Sequence, residues 1–96
     1  MRPSEALQHH RVAIRRIVES HRARNARVFG SVLRGEDTER SDLDILVDPM
    51  PGATLFDLGA IHFELERLLG IRVDLLVPDE LPDRARAQVI SQAHAV

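Results

Sequence analysis

Two short segments with almost the same residue pattern set the strongest limit on how this chain can fold. Residues 43–47 read LDILV, and residues 73–77 read VDLLV. In each segment every second side chain is apolar, which is typical of a strand with one face on a core. The residues between them, 49–71, are enough for a crossover helix. The pattern therefore predicts two parallel, neighbouring strands, with Asp74 beside Asp44.

The same alternation places acidic side chains together. Asp42 and Asp44 point to one side of their strand, where their charges repel each other unless a cation lies between or beside them. Carboxylate oxygens suit magnesium, and three converging carboxylates, with Asp74 as the third, can hold two such ions for an in-line phosphoryl displacement. Ser41, just before the first aspartate, suits a turn or a local hydrogen bond better than a nucleophile, and it is also a candidate nucleotide contact.

A candidate phosphate site lies upstream of these acids. Gly30 and Ser31 follow the apolar run 26–29 and are predicted to turn the end of a strand into a short helix over residues 31–35. A glycine lets a ligand approach the backbone, and the N–H groups at a helix start together with the Ser31 hydroxyl favour a phosphate. Arg34 can add a cationic contact.

The run GSVLRGE, residues 30–36, followed by SDLD, residues 41–44, and a hydrophobic tail, resembles the nucleotidyltransferase domains of the DNA polymerase beta superfamily. In particular, it is similar to the minimal nucleotidyltransferases that act as antitoxins beside HEPN-type toxins. The resemblance continues through residues 55–82 and a final helix, so it covers nearly the whole chain.

That resemblance implies roles for individual residues. Asp42 and Asp44 match the magnesium-binding aspartates of the family, Asp74 matches the one that completes the site, and Gly30 and Ser31 match the pair that holds the nucleotide phosphates. It implies a reaction that transfers AMP from ATP to a hydroxyl with two Mg²⁺ ions. The antitoxin members are thought to add AMP to a tyrosine of their toxin, so the implied partner is a HEPN-type toxin.

Two other functions stay open at this point. The same fold can neutralise a toxin by forming a complex without catalysis, as a binding module. It can also modify a small-molecule acceptor, with a partner or a second copy in a homo-oligomer supplying the missing acceptor pocket. Catalytic residues that are all present argue against a decayed enzyme but do not show activity.

Composition limits the class of protein. The 96 residues predict one small domain, residues 1–96, in which a separate acceptor-binding domain would not fit. The chain has no cysteine, which fits a reducing cytoplasm, and no apolar run approaches the length of a membrane span or sits where a signal peptide would. We therefore expect a cytoplasmic protein without membrane contact.

Charge is distributed unevenly along the chain. Residues 1–27 carry seven Arg against Glu5 and Glu19, for a net charge of +5, whereas residues 28–96 carry six Arg against 13 acids, for a net charge of −7. The basic part coincides with the first predicted helix. A solvated face is the simpler interpretation, and a docking surface for an acidic partner, RNA or nucleotide phosphates is the alternative. Nucleic-acid binding is not favoured, because three Phe are the only aromatic residues.

The remaining signals describe the scaffold. We predict a first helix from Pro3 to about Asn25, a second from Thr54 to about Leu69, and a last helix that opens at Pro82. His62 falls on the apolar stripe of the second helix and is interpreted as a core or boundary residue rather than a metal ligand. Placing all the acids at one edge makes the first two strands antiparallel.

The predicted fold class is therefore α+β, with the layers of an α/β sandwich. A small mixed three-stranded sheet is flanked by about four helices, as in a polymerase beta-like nucleotidyltransferase core. Residues 35–40 and 49–53 are predicted to be loops. The acids of the first loop, Asp37 among them, are interpreted as solvated charges, and Asp48 is interpreted as a turn residue at a strand end.

Overall fold

The acidic segments lie in a four-stranded sheet in the computed structural model, which describes all 96 residues. In chain order the elements are α1 (Pro3–Ser20), β1 (Ala23–Phe29), β2 (Leu43–Pro49), α2 (Leu55–Leu69), β3 (Val73–Leu76), a 3-10 turn (Pro78–Glu80), α3 (Asp83–Gln92) and β4 (His94–Ala95). The strand order is β3-β2-β1-β4, in which β2 and β3 run parallel and the other pairs run antiparallel. The predicted α+β class and the three predicted strand directions are confirmed.

Two counts differ from the prediction. The sheet has four strands rather than three, because the C-terminal residues His94 and Ala95 pair with β1. The helices number three plus a single 3-10 turn, rather than about four, because the residues after Gly30 form successive turns instead of a short helix. Gly30 and Gly35 both have left-handed backbones, with φ of 75° and 71°, and a regular right-handed helix cannot include them.

The first helix is also shorter than predicted. It ends at Ser20, and β1 begins at Ala23, before the predicted boundary near Asn25. Arg22, which lies between the two elements, adopts a positive φ of 57°, so the chain turns sharply there. Asn25 has the same φ within β1, where the register against β2 shifts between Arg24 and Arg27. The predicted bounds of α2 are confirmed. The Asp57 N–H donates to the Thr54 hydroxyl, and the Thr54 N–H donates to the Asp57 carboxylate at 2.9 Å.

The core lies on one face of β2. Its alternate apolar residues Leu43, Ile45 and Val47 are fully buried. They pack against apolar side chains of α1 and α2: Ile14, Val18, Ile61 and Leu65. Burial of each such side chain stabilises the fold by roughly 1.5–3 kcal/mol. The even-numbered residues face the other side of the sheet, as the alternation predicts, and this second face carries the acidic groups. The core thus fixes the direction in which Asp44 points.

The loop before β2 is anchored more firmly than predicted. Asp37 was expected to be a solvated charge, but it is buried, and its carboxylate accepts a hydrogen bond from the Ser4 N–H at 2.9 Å, at the N-terminus of α1. Burial acts to raise the pKa of Asp37, but the hydrogen bonds from Ser4 outweigh it, so the pKa lies below its usual value. The loop before β2 is therefore tied to α1.

Two arginines on the basic face of α1 form hydrogen bonds to the C-terminal residues of the chain. Arg15 donates to the C-terminal Val96 carbonyl at 2.7 Å, and Arg11 donates to the Ala95 carbonyl at 3.4 Å. These contacts hold β4 against the sheet. None of the helices combines the length and the apolar character that crossing a membrane requires.

Candidate active site

The register of the sheet brings Asp44 and Asp74 side by side. Asp44 on β2 is directly opposite Asp74 on the parallel strand β3, and Leu46 is opposite Leu76, as the repeated pattern predicts. On the other side of β2, Asp44 is opposite Phe29, the last residue of β1. The two carboxylates and the C-terminal end of β1 therefore meet at the same end of these three strands.

Gly30 packs directly against the Asp44 carboxylate. A Cβ atom at position 30 would lie 2.0 Å from Asp44 Oδ2, which is far inside van der Waals contact, and the residue has φ of +75°. Both the missing side chain and the left-handed backbone are therefore required here. The glycine that sequence analysis assigned to phosphate binding thus also makes room for the central carboxylate.

Burial and nearby like charges shift the pKa of the Asp44 carboxyl group. Partial burial, followed by the negative charges of Asp74 and Asp42, raises its pKa to about 6, while the positive charge of Arg34 acts in the opposite direction. A carboxyl group with this pKa exists in both protonation states near neutral pH. The structure thus brings four of the predicted site residues within electrostatic reach of one another.

The donor set has the chemistry of a divalent cation site. The three carboxylates do not form a closed set of ligands as they stand, since no three acidic or histidine side chains converge tightly enough to hold a metal ion. Their oxygens are nonetheless the ligands that Mg²⁺ prefers, and a cation among them would remove the repulsion that raises the Asp44 pKa. The chemistry of the three carboxylates therefore suits magnesium.

The turn after Gly30 offers unpaired backbone donors. The Arg34 N–H donates to the Gly30 carbonyl at 3.2 Å, and the Glu36 N–H donates to the Ser31 carbonyl at 2.9 Å. The N–H groups of residues 31–33 make no backbone hydrogen bond. Successive free N–H groups beside a glycine form a concave anion site, so the turn can bind phosphate without being the predicted helix. The exposed Arg34 side chain lies 3.2 Å from Glu36.

Ser41 has a local role. Its hydroxyl accepts a hydrogen bond from the Thr38 N–H at 2.9 Å, and its own N–H donates to the Thr38 carbonyl at 3.0 Å. These bonds close the turn that leads into β2, in agreement with the turn interpretation. The nucleotide contact also predicted for Ser41 stays a prediction.

One ion pair on the same sheet face was missed by the sequence analysis. Arg27 is buried, and its guanidinium donates to the Asp48 carboxylate, which also accepts from the Asn25 side chain at 2.9 Å. Asp48 was interpreted as a turn residue, but it lies within β2 on the same face as Asp44. The period of two that placed Asp44 on this face could have placed Asp48 there as well.

The sequence of the chain is similar to those of known proteins. The profile of the family described as "Nucleotidyltransferase domain" matches residues 11–95. A Methanocaldococcus jannaschii protein provisionally named protein adenylyltransferase is 36% identical over 77 residues, which cover 80% of this chain and 83% of that protein. The Thermococcus cleftensis protein adenylyltransferase MntA is 48% identical over 54 residues, 56% of this chain and 54% of that protein.

A solved structure shares the whole fold. It is described as a provisionally assigned minimal nucleotidyltransferase, and it superimposes with a TM-score of 0.83 at 43% sequence identity. The match covers 97% of this chain and 93% of that one.

Proposed function

The chain belongs to the nucleotidyltransferase domain family, and from this premise we propose that it transfers AMP from ATP to a hydroxyl of a partner protein. The observation that carries the proposal is the pairing of Asp44 with Asp74 directly beside Gly30. This pairing joins a cation site to a phosphate site, and nucleotidyl transfer needs both.

Asp42, Asp44 and Asp74 would hold the magnesium ions, with two ions as the expected number. When bound, magnesium neutralises phosphate charge and favours formation of the nucleophilic oxygen. The chain's own groups position the reactants. The N–H groups of the turn at Gly30 and Ser31 bind the outer phosphates, and Arg34 adds positive charge beside them.

The covalent step exchanges one phosphorus–oxygen bond for another. The acceptor oxygen attacks the α-phosphorus of ATP, the bond between the α-phosphorus and the bridging oxygen breaks, and pyrophosphate leaves. Asp74 is placed at the strand beside Asp44, where it can orient the acceptor hydroxyl and take its proton. The products are the acceptor carrying AMP through a phosphodiester, and pyrophosphate.

We take the acceptor to be a tyrosine of a HEPN-type toxin, which makes the chain an antitoxin. The names of the relatives support a protein acceptor, and the match to the protein named MntA supports this group within the family. A cytoplasmic location belongs to the same proposal, and it is supported by the cysteine-free composition.

Mass spectrometry of a candidate acceptor tests the proposal. The chain is co-expressed with the protein encoded beside it, and the purified pair is incubated with ATP and Mg²⁺. We expect the acceptor to gain about 329 Da per AMP, and we expect Asp42→Asn and Asp44→Asn to lower the rate by at least about 100-fold. Asp48→Asn is the matched control and should stay within about threefold of wild type.

Three results would oppose this function in different ways. Near wild-type rates in both site variants would exclude the carboxylates as metal ligands. A stable complex without any adduct would favour a binding module. An adduct on a small molecule instead of the protein would favour the third function considered above.

A further inference from the structure

We propose that an open groove between α2 and β3 binds an extended segment of the acceptor protein and brings its hydroxyl-bearing side chain to Asp74. The inference rests on the proposed function and adds the acceptor's docking site to it. The groove has a volume of about 380 Å³, within the range of ligand sites. Its apolar walls include Leu55 and Leu58 of α2, Leu75 of β3 and Val77 just after β3, and Asp74 also lines it. We call it the acceptor groove.

The acceptor groove runs along a sheet edge with one open backbone position. β3 is the edge strand, and the backbone groups on its outer side alternate with those that pair with β2. At Val73 both outer groups are bound, the N–H by Glu66 at 2.9 Å and the carbonyl by His62 at 2.8 Å. The Val77 N–H donates to Glu80 at 2.9 Å.

Leu75 lies between these two protected positions. By the same alternation its N–H and carbonyl point outward into the acceptor groove, and no side chain of the protein bonds to either one. An extended peptide can pair with a single open residue of this kind through two backbone hydrogen bonds. The protected positions at Val73 and Val77 limit the contact to a short segment and fix its place along the strand.

The geometry of in-line displacement requires the acceptor to bind on the β3 side of the site. The phosphate turn follows β1, Asp44 is on β2, and Asp74 is on β3, so strand spacing separates the turn from β3 by about 10 Å. In-line displacement requires the attacking oxygen to approach opposite the leaving pyrophosphate. With the outer phosphates at the end of β1, the acceptor must arrive from the β3 side, where the acceptor groove lies.

The lining also indicates the chemistry of the segment. Apolar walls beside a carboxylate suit a phenol, which buries its ring and presents its hydroxyl, better than they suit serine or threonine. Two carboxylates, those of Asp74 and Glu80, line the acceptor groove, and that of Glu66 lies at its edge. Flanking basic residues would complement this charge. We therefore expect a tyrosine with apolar and basic neighbours.

Gly59 allows the acceptor groove to be filled without disturbing the fold. It lines the groove from α2, and a Cβ added there meets nothing within 4 Å. Gly59→Phe would project a ring into the open space. Gly59→Ala is the matched control, because it also removes glycine's helix penalty and leaves most of the space free. Thermal unfolding of both variants checks that each is folded.

The probe is a capped peptide of sequence Arg-Leu-Tyr-Leu-Arg, titrated against the isotope-labelled full chain by NMR. We expect the amide signals of Gly59 and Leu75 to shift. Affinity should fall at least about tenfold in Gly59→Phe and stay within about threefold in Gly59→Ala. The affinity for α,β-methylene ATP with Mg²⁺ should stay unchanged in both variants. A peptide with serine in place of tyrosine should bind more weakly.

Several results would overturn the assignment. These are the absence of peptide binding at millimolar concentration, equal binding by Gly59→Phe, and shifts confined to another surface. Shifts of Gly59 and Leu75 caused by the nucleotide analogue, and lost in Gly59→Phe, would assign the groove to the nucleotide instead.

A separate readout distinguishes failure of the groove from failure of the proposed function. Asp44→Asn should bind the peptide with wild-type affinity while losing AMP transfer to it. Peptide that binds in the acceptor groove but is never modified by wild type, together with an unmodified partner protein, would oppose the enzymatic function and leave the docking site standing. If Gly59→Phe still transfers AMP with an unchanged KM for the acceptor, the enzymatic function stands and the docking site is excluded.

Discussion

Asp44 and Asp48 lie on the same face of β2, four residues apart, and their surroundings are opposite. Asp48 binds the buried Arg27 guanidinium and the Asn25 side chain. Asp44 faces the carboxylates of Asp74 and Asp42, and the exposed Arg34 supplies the opposing positive charge. One strand thus carries a paired acid at one end and a cluster of like charges at the other.

The difference separates an acid that is paired within the fold from one that lies among like charges. An ion pair with additional hydrogen bonds satisfies a partly buried carboxylate, so Asp48 supports the fold. Partial burial, followed by the charges of Asp74 and Asp42, raises the pKa of Asp44 to about 6, so its ionised form opposes folding at neutral pH. Under the proposed function, a cation and a nucleotide complete this cluster beside the turn at Gly30.

Gly30→Ala is expected to have the largest effect on the end of β2 that carries Asp44. The new Cβ would lie 2.0 Å from Asp44 Oδ2, so the carboxylate must move away from the turn, and transfer should fall by about 100-fold. Gly35→Ala is the matched control, because its φ of +71° is similar but a Cβ there meets nothing within 4 Å. It should lose about 1 kcal/mol of stability and keep most of its activity.

Rates of AMP transfer and urea unfolding of both glycine variants check this prediction. Equal loss of activity in the two variants would show that backbone strain, rather than contact with Asp44, makes Gly30 necessary.

Asp48→Ala is expected to damage the fold at the other end. It leaves the buried Arg27 charge and the Asn25 amide without their carboxylate, so the free energy of unfolding should fall by about 2 kcal/mol. Asp79→Ala removes an exposed acid as a control and should change stability by less than about 0.5 kcal/mol. Urea unfolding at pH 7 gives both values, and similar losses in the two variants would remove the structural role of Asp48.

Asp44→Asn is expected to stabilise the metal-free protein in a pH-dependent way. The folded pKa of Asp44, about 6, lies above its ordinary value, so the wild type loses stability as pH rises from about 4 through 6. The variant avoids that loss, and screening by solvent limits its gain at pH 8 to about 1 kcal/mol. The gain should disappear near pH 4. Unfolding curves across this range check it, and a gain that is equal at both ends would point to a cause other than charge.

Sequence reasoning succeeded where a pattern is local. The alternation in residues 42–48 and its repetition at 73–77 determined the pairing of Asp44 with Asp74. The capping signals of α2 determined its bounds. These features depend on neighbouring residues or on a repeated strand, so they can be read without a structure.

Sequence reasoning failed where a contact joins distant parts of the chain. Asp37 caps α1 through Ser4, 33 residues away, and Arg27 meets Asp48 across 21 residues. The neighbouring residues in the sequence give no indication of these hydrogen-bond partners. β4 is two residues long, too short for any periodic pattern, and it exists because β1 offers an edge and Arg15 holds the C-terminus. The turn after Gly30 was mistaken for a helix. The left-handed backbones of Gly30 and Gly35 leave only residues 31–34 between them, about one helical turn.

The most direct test measures whether magnesium and a nucleotide stabilise the Asp44 end. The free energy of unfolding at pH 8 is determined with increasing Mg²⁺ and α,β-methylene ATP, which binds but cannot transfer AMP. At ligand concentrations about 100 times the dissociation constant, wild type and Asp48→Asn should each gain about 2.7 kcal/mol, and Asp44→Asn should gain little. Equal stabilisation of all three proteins, or none in wild type, would contradict the assignment of the acidic cluster as the nucleotide and cation site.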